Sequence, residues 1–191
     1  MKTIFKSVLT VGLVAGLGFA ANAQKTATAT SSATILADLT ITLDGTQDKI
    51  AFGNVSASTP GDILLAANGP TGNANTGSIT NVARFDLAGA GSAVTVAYDP
   101  SVTLTGPSVG DPAIAQTMVM TPEVVGAEIS TDQENAGPVA SGDQVTLVND
   151  PATTSAVDPV YFLWVGGSIP ALSGKAPGTY TGTFNINVEY N

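Results

Sequence analysis

Side chains that carry out chemistry are scarce in this chain, and their absence excludes much. It contains no cysteine and no histidine. That removes a disulfide framework, a thiolate nucleophile, a Cys/His zinc site, a histidine base and a catalytic triad. Paired carboxylates can hydrolyse glycosides, but none of the 15 Asp and Glu falls in a recognisable setting. Asp44 with Asp48, or Glu128 with Asp132 and Glu134, offer the oxygen ligands calcium takes, without the spacing of an EF-hand loop. Gly89-x-Gly91 lacks the third glycine and the following helix of a dinucleotide loop. There is no Gly-x-Ser-x-Gly elbow and no Asp-Thr-Gly, and Asp44-Gly45-Thr46 is a turn signal. The expectation is a protein that is not an enzyme and uses no metal or cofactor.

The elements around these residues belong to a turn-rich, acidic globular domain. The chain has 191 residues, 43% hydrophobic and 11% charged, with 21 Gly and 11 Pro. Disorder needs low hydrophobicity with high charge, and neither holds here. The formal net charge of -9 argues against nucleic acid and anionic membrane surfaces, which recruit Lys/Arg patches.

At the N-terminus, Lys2 and Lys6 precede a short apolar run from Ser7 to Ala20, and Ala21-Asn22-Ala23 supplies the small residues of a cleavage site. The run is shorter than the roughly 18 apolar residues of a membrane span. We expect a signal peptide over 1–23 and an exported chain from Gln24, with no stable membrane insertion after cleavage. Its route is the periplasm in transit, then the cell surface or the medium.

Period two dominates the remainder. From Ala27 to Leu43 the odd positions are small or apolar, and the even ones are mostly Thr and Ser. Near the other end Tyr180, Gly182, Phe184, Ile186, Val188 and Tyr190 alternate with polar residues. Such alternation puts one face on a core and the other in water. Between these ends, strands are expected near Lys49–Val55, Ile63–Ala66, Ala83–Ala88, Ala93–Tyr98, Thr117–Met120, Gln144–Val148 and Val160–Val165. Gly89 to Ser92 reads as a hairpin turn. Val160–Val165 is apolar on both parities and reads as a central strand buried on both faces. Pro100, Pro107, Pro112, Pro122, Pro138, Pro151 and Pro159 are expected between strands, and Asp132–Ser141 as an exposed polar loop. Short strands separated by turns predict an all-β, immunoglobulin-like sandwich over 38–191, complete or lacking one strand.

Counting back from Asn191, Tyr190 is penultimate and Gly178 fourteenth, with Phe184, Ile186 and Val188 alternating between them. This segment resembles the terminal strand of chaperone–usher pilus subunits. Together with Gly166-Gly167 and Pro177-Gly178-Thr179-Tyr180, it is also similar to a family of short secreted bacterial proteins known only as a domain of unknown function. Ile50-Ala51-Phe52-Gly53 fits that family and the spore-coat-U type of pilus subunit. The absence of cysteine departs from many pilus subunits.

The resemblance implies a structural subunit of a surface fibre, completed by strand donation from a neighbour. Its partners would be copies of itself or related subunits, with a periplasmic chaperone and an outer-membrane usher. The donor would be the N-terminal extension 24–37, with Ala27, Ala29, Ala33, Ile35 and Ala37 facing the groove and Ile35 as the main anchor. Leu39, Ile41 and Leu43 would begin the subunit's own first strand. The alternative is a monomeric secreted or surface module binding a glycan or a protein, with the extension folded into its own sandwich.

Overall fold

A computed structural model describes residues 32–110, 114–150 and 159–191. The expected signal peptide over 1–23, the expected donor positions Ala27 and Ala29, and Pro112 and Pro151 lie outside the described residues. The chain divides into two units, Met1–Ile35 and Leu36–Asn191. Of the first, residues 32–35 are described; they are exposed and carry no regular structure. No helix among the described residues is long and apolar enough to cross a membrane.

The second unit is built on the run that is apolar on both parities. It forms β9, Val160–Ile169. Leu163 and Val165 face the main core, while Phe162 and Trp164 are buried on the other side with Ala67 and Val125. Both faces are covered, as that pattern predicts. Antiparallel neighbours flank it: β3 (Ala83–Ala88) on one side and β6 (Ile114–Ala127) on the other. Outside them lie β1 (Thr40–Leu43) and β5 (Val102–Val109), in the order β1-β3-β9-β6-β5. Short β2 (Ile63–Leu65) pairs with β9, and β7 (Gly137–Pro138) with β6. The second sheet has the order β10-β4-β8, from Ile186–Tyr190, Ala93–Tyr98 and Gln144–Thr146. Both sheets are antiparallel, and the chain is an all-β sandwich. Between them Leu87, Val94, Val96, Leu147, Leu163 and Val165 are essentially inaccessible, each burial contributing about 1.5–3 kcal/mol.

Several elements differ from the sequence expectation. The Gly89–Ser92 turn joins β3 to β4, but these strands belong to different sheets, so it is an arch over the core rather than a hairpin. Leu87 on one and Val94 and Val96 on the other must cover the same core from opposite walls. Lys49–Val55 is not a strand; one isolated bridge joins Ala51 to Asn81. Gly53 turns the run at φ 77, where a Cβ would lie 2.7 Å from the Ile79 carbonyl oxygen. Asp132–Ser141 is not wholly exposed loop: it contains a 3-10 turn (Gln133–Asn135), β7 and the buried Val139.

Among the described residues of the alternation that starts at Ala27, only Thr40–Leu43 is strand. Leu39 packs on the core, but Ile41 and Leu43 are 36% and 44% exposed, so the expected core face stops short. β5 is a strand that the sequence does not signal, and Thr117–Met120 is part of the much longer β6. The prolines explain both. Pro107 sits where the β5–β6 register shifts between Thr105 and Ser108. Pro122 lies beyond Met120, where β5 stops pairing, and before Val125, where β7 starts. Pro138 is in β7. These prolines lie within strands, at a bulge or at local edges, where a missing N–H is tolerated.

The C-terminal alternation is also split. After β4 the chain crosses through Asp99–Ser101 from the smaller sheet to β5 of the larger one, and the C-terminal segment follows it across. Thr181 bridges to Thr105, while Ile186–Tyr190 pairs with Tyr98–Val94. At the crossing, Asn185 donates through its N and Nδ2 to Asp99 Oδ2 at 3.0 and 2.8 Å.

Candidate functional site

β1 and β5 are the edges of the larger sheet's main path, and β10 and β8 those of the smaller sheet. The sandwich is open along an apolar groove of about 870 Å³. Its floor includes Leu104, Met118, Met120 and Ile169, from β5, β6 and β9. One wall carries Leu43, Ile50 and Phe52; the other carries Tyr180 and Phe184. The Phe184 ring lies 6.2 Å from Phe85 and 5.9 Å from Tyr98, so this wall is anchored in the core.

The backbone of the second wall is half used. Thr181 exchanges both its hydrogen bonds with Thr105, at 2.8 and 3.0 Å. In an extended chain the groups of alternate residues point to opposite edges. Those of Tyr180 and Gly182 therefore face away from β5, and no backbone hydrogen bond to a described residue closes that side. The Tyr180 side chain is half-buried on the groove, Gly182 lies close against β5, and Thr179, Thr181 and Thr183 line the groove but are exposed. An unpaired edge beside apolar surface is suited to an added strand.

The C-terminal residues singled out from sequence come together around this region. Phe184, Ile186, Val188 and Tyr190 are half-buried against the main core. Gly178 has φ 153 and lies against Pro107, whose Cγ a Cβ would approach to 2.9 Å. Tyr190 joins three segments: its Oη accepts from Ala90 N at 2.6 Å and donates to Ala37 O at 2.8 Å. Of the positions expected from sequence to form a donor strand, Ala33, Ile35 and Ala37 are described and exposed, Ile35 at 95%. The methionines of the floor and Leu104 escaped the sequence reading. Val102 and Leu104 do alternate with threonines, but Gly106-Pro107 masks the strand they start.

Of the calcium candidates, Asp44 is fully engaged by its own turn and Arg84, and Asp132 Oδ1 accepts from Asn135 Nδ2 at 2.6 Å. Asp44 Oδ1 accepts from Thr46 N, Thr46 Oγ1 and Gln47 N at 2.8, 2.6 and 2.8 Å, and Oδ2 pairs with Arg84 at 2.8 Å. The Thr46 hydroxyl bond, then the backbone bonds and Arg84, hold the carboxyl at a pKa of about 2. Arg84 is raised above its usual value, chiefly by its bond to Asp86, and stacks 5.7 Å from the Phe162 ring. No group of three or more His, Cys, Asp or Glu among the described residues is placed to hold a metal.

Residues 39–190, which include both walls of the groove and Tyr190, match the model of a domain of unknown function, DUF4402. The chain belongs to that family. No curated protein matches it. Within the DUF4402 domain the groove is built entirely from matched residues, whereas the stretch before Leu39 lies outside the match.

Proposed function

We propose that this DUF4402 chain is a structural subunit of a bacterial surface fibre, its groove receiving the N-terminal extension of a neighbouring copy. The observation that carries this reading is the apolar groove bordered by the unused edge of Tyr180 and Gly182. At about 3.3 Å per residue, the extension 24–37 is longer than the segment 178–184 beside which it would lie. Its groove face would be Ala27, Ala29, Ala33, Ile35 and Ala37. Full burial of Ile35 would contribute about 1.5–3 kcal/mol, with main-chain bonds giving generic affinity and the alternating side chains setting register. The reading brings with it cleavage after Ala23, a chaperone to shield the open groove in the periplasm, an usher, and display at the surface.

The competing reading, a monomeric binding module, fills the groove from within the same molecule. Cysteines placed at Thr34 and Thr183 separate the two. Disulfides between chains support strand donation, and disulfides formed only within one chain reject it. Ile35→Asp gives a second test, because a carboxylate in an apolar groove costs several kcal/mol. It should abolish assembly and leave the acceptor sandwich folded.

A further inference from the structure

We propose that a second, polar cleft in the sandwich binds a neutral sugar unit. It shares no residue with the groove and does not depend on the fibre reading. Its polar lining comes from four places in the chain: Gln47 after β1, Asn73 after β2, Thr80 and Asn81 before β3, and Gln133 in the 3-10 turn. The volume is about 270 Å³. Water occupies about 30 Å³ per molecule in the liquid, so the cleft holds the equivalent of roughly nine waters, the scale of one monosaccharide.

The lining carries no charged side chain, although the chain has a formal net charge of -9. Neither a cation nor an anion meets a counter-charge there. Four carboxamides and a hydroxyl instead offer donors and acceptors together, which suits a ligand made of hydroxyls. Three of the carboxamides are held by the main chain, and Gln47 is held by Gln133. Gln133 Nε2 donates to Ala67 O at 2.7 Å, and Asn81 Nδ2 to Thr46 O at 3.0 Å. Asn73 Oδ1 accepts from Ala66 N at 2.8 Å, and Gln47 Nε2 reaches Gln133 Oε1 at 3.4 Å.

That arrangement leaves Asn81 Oδ1 buried with no donor among the described residues. A buried acceptor without a donor costs about 1–3 kcal/mol; this atom has essentially no accessible surface, so a ligand hydroxyl relieves it only by drawing the Asn81 carboxamide towards the cleft. Asn73 Nδ2 and Gln47 Oε1 remain to donate and accept, while Pro70 and Val82 give the cleft an apolar side for ring C–H groups.

The test is a titration of the isotope-labelled full chain with methyl glycosides of glucose, galactose, mannose and N-acetylglucosamine. The expected result is saturable, millimolar binding of at least one, with amide shifts centred on Gln47, Asn73, Asn81 and Gln133. Asn81→Leu should weaken it by about tenfold, the worth of one buried hydrogen bond. Because Asn81 also ties down Thr46, Gln47→Ala provides a second variant on an otherwise intact fold, and it too should weaken binding. The proposal is overturned if no probe gives saturable shifts, if the shifts centre elsewhere, or if Gln47→Ala binds as wild type does.

Discussion

Replacing Tyr190 by phenylalanine removes one oxygen and leaves the ring packing in place. That oxygen accepts from Ala90 N at 2.6 Å and donates to Ala37 O at 2.8 Å. The bond to Ala90 is partly buried, so its N–H loses a partner that water replaces poorly. The Ala37 carbonyl is exposed and regains water. A typical hydrogen bond contributes about 0.5–1.5 kcal/mol net, more when a buried donor is orphaned, so the substitution should cost about 1–2 kcal/mol. For a chain of this size that lowers the melting temperature by about 2–8 °C. Urea unfolding of Tyr190→Phe beside wild type and Tyr190→Leu measures it. Tyr190→Leu, which loses ring contacts as well, should fall further. If Tyr190→Phe lies within about 0.3 kcal/mol of wild type, inside the ordinary range of surface substitutions, the phenol does not tie the three segments together.

Leu163→Ala, at a position with no accessible surface, should cost about 2–5 kcal/mol by the same unfolding assay. Gly106→Ala should cost about 1–3 kcal/mol, because the new Cβ would run into the Tyr180 ring; Tyr180→Ala in the same chain should recover part of it. Asp44 is held at a pKa of about 2, below the ordinary aspartate value of 3.8. The folded pKa is depressed, so its stabilisation is complete above about pH 4 and is lost as pH falls towards 2. Acid unfolding should therefore show Asp44→Ala less stable than wild type near neutrality, with the two curves converging below about pH 2.

Where one face of a strand meets the core and the other meets water, alternation alone located the elements: β3, β4, β8 and most of β10 were legible in this way. β9 was legible for the opposite reason, since an apolar run with Phe162 and Trp164 beside Leu163 and Val165 has no side to give to solvent. The misses arise where local signals and tertiary pairing disagree. Pro107 and Pro122 look like breakers, yet the strands pass through them at a register shift and at a stretch with a free edge. Ile50-Ala51-Phe52 alternates, but Gly53 turns the chain before a strand can form. The C-terminal half of the groove was legible as Tyr180, Gly182 and Phe184. Its floor was not, because Met118 and Met120 become groove residues only once β5 and β6 pair. The polar cleft left no trace in sequence, since its four parts are joined only by the fold.

The strand that ties the two sheets together comes after every strand it ties. β10 covers β4, and Phe184 completes the cluster of Phe85 and Tyr98, while Thr181 joins β5. As the chain is synthesised, all of these wait, with apolar faces and free edges exposed, for a segment not yet made. Pairings between parts so far apart in sequence form slowly, and partly folded chains with open edges aggregate. Folding should accordingly be a single late event set by the arrival of residues 181–190, and ribosome-bound chains halted before Thr181 should remain protease-sensitive however much of the larger sheet has emerged.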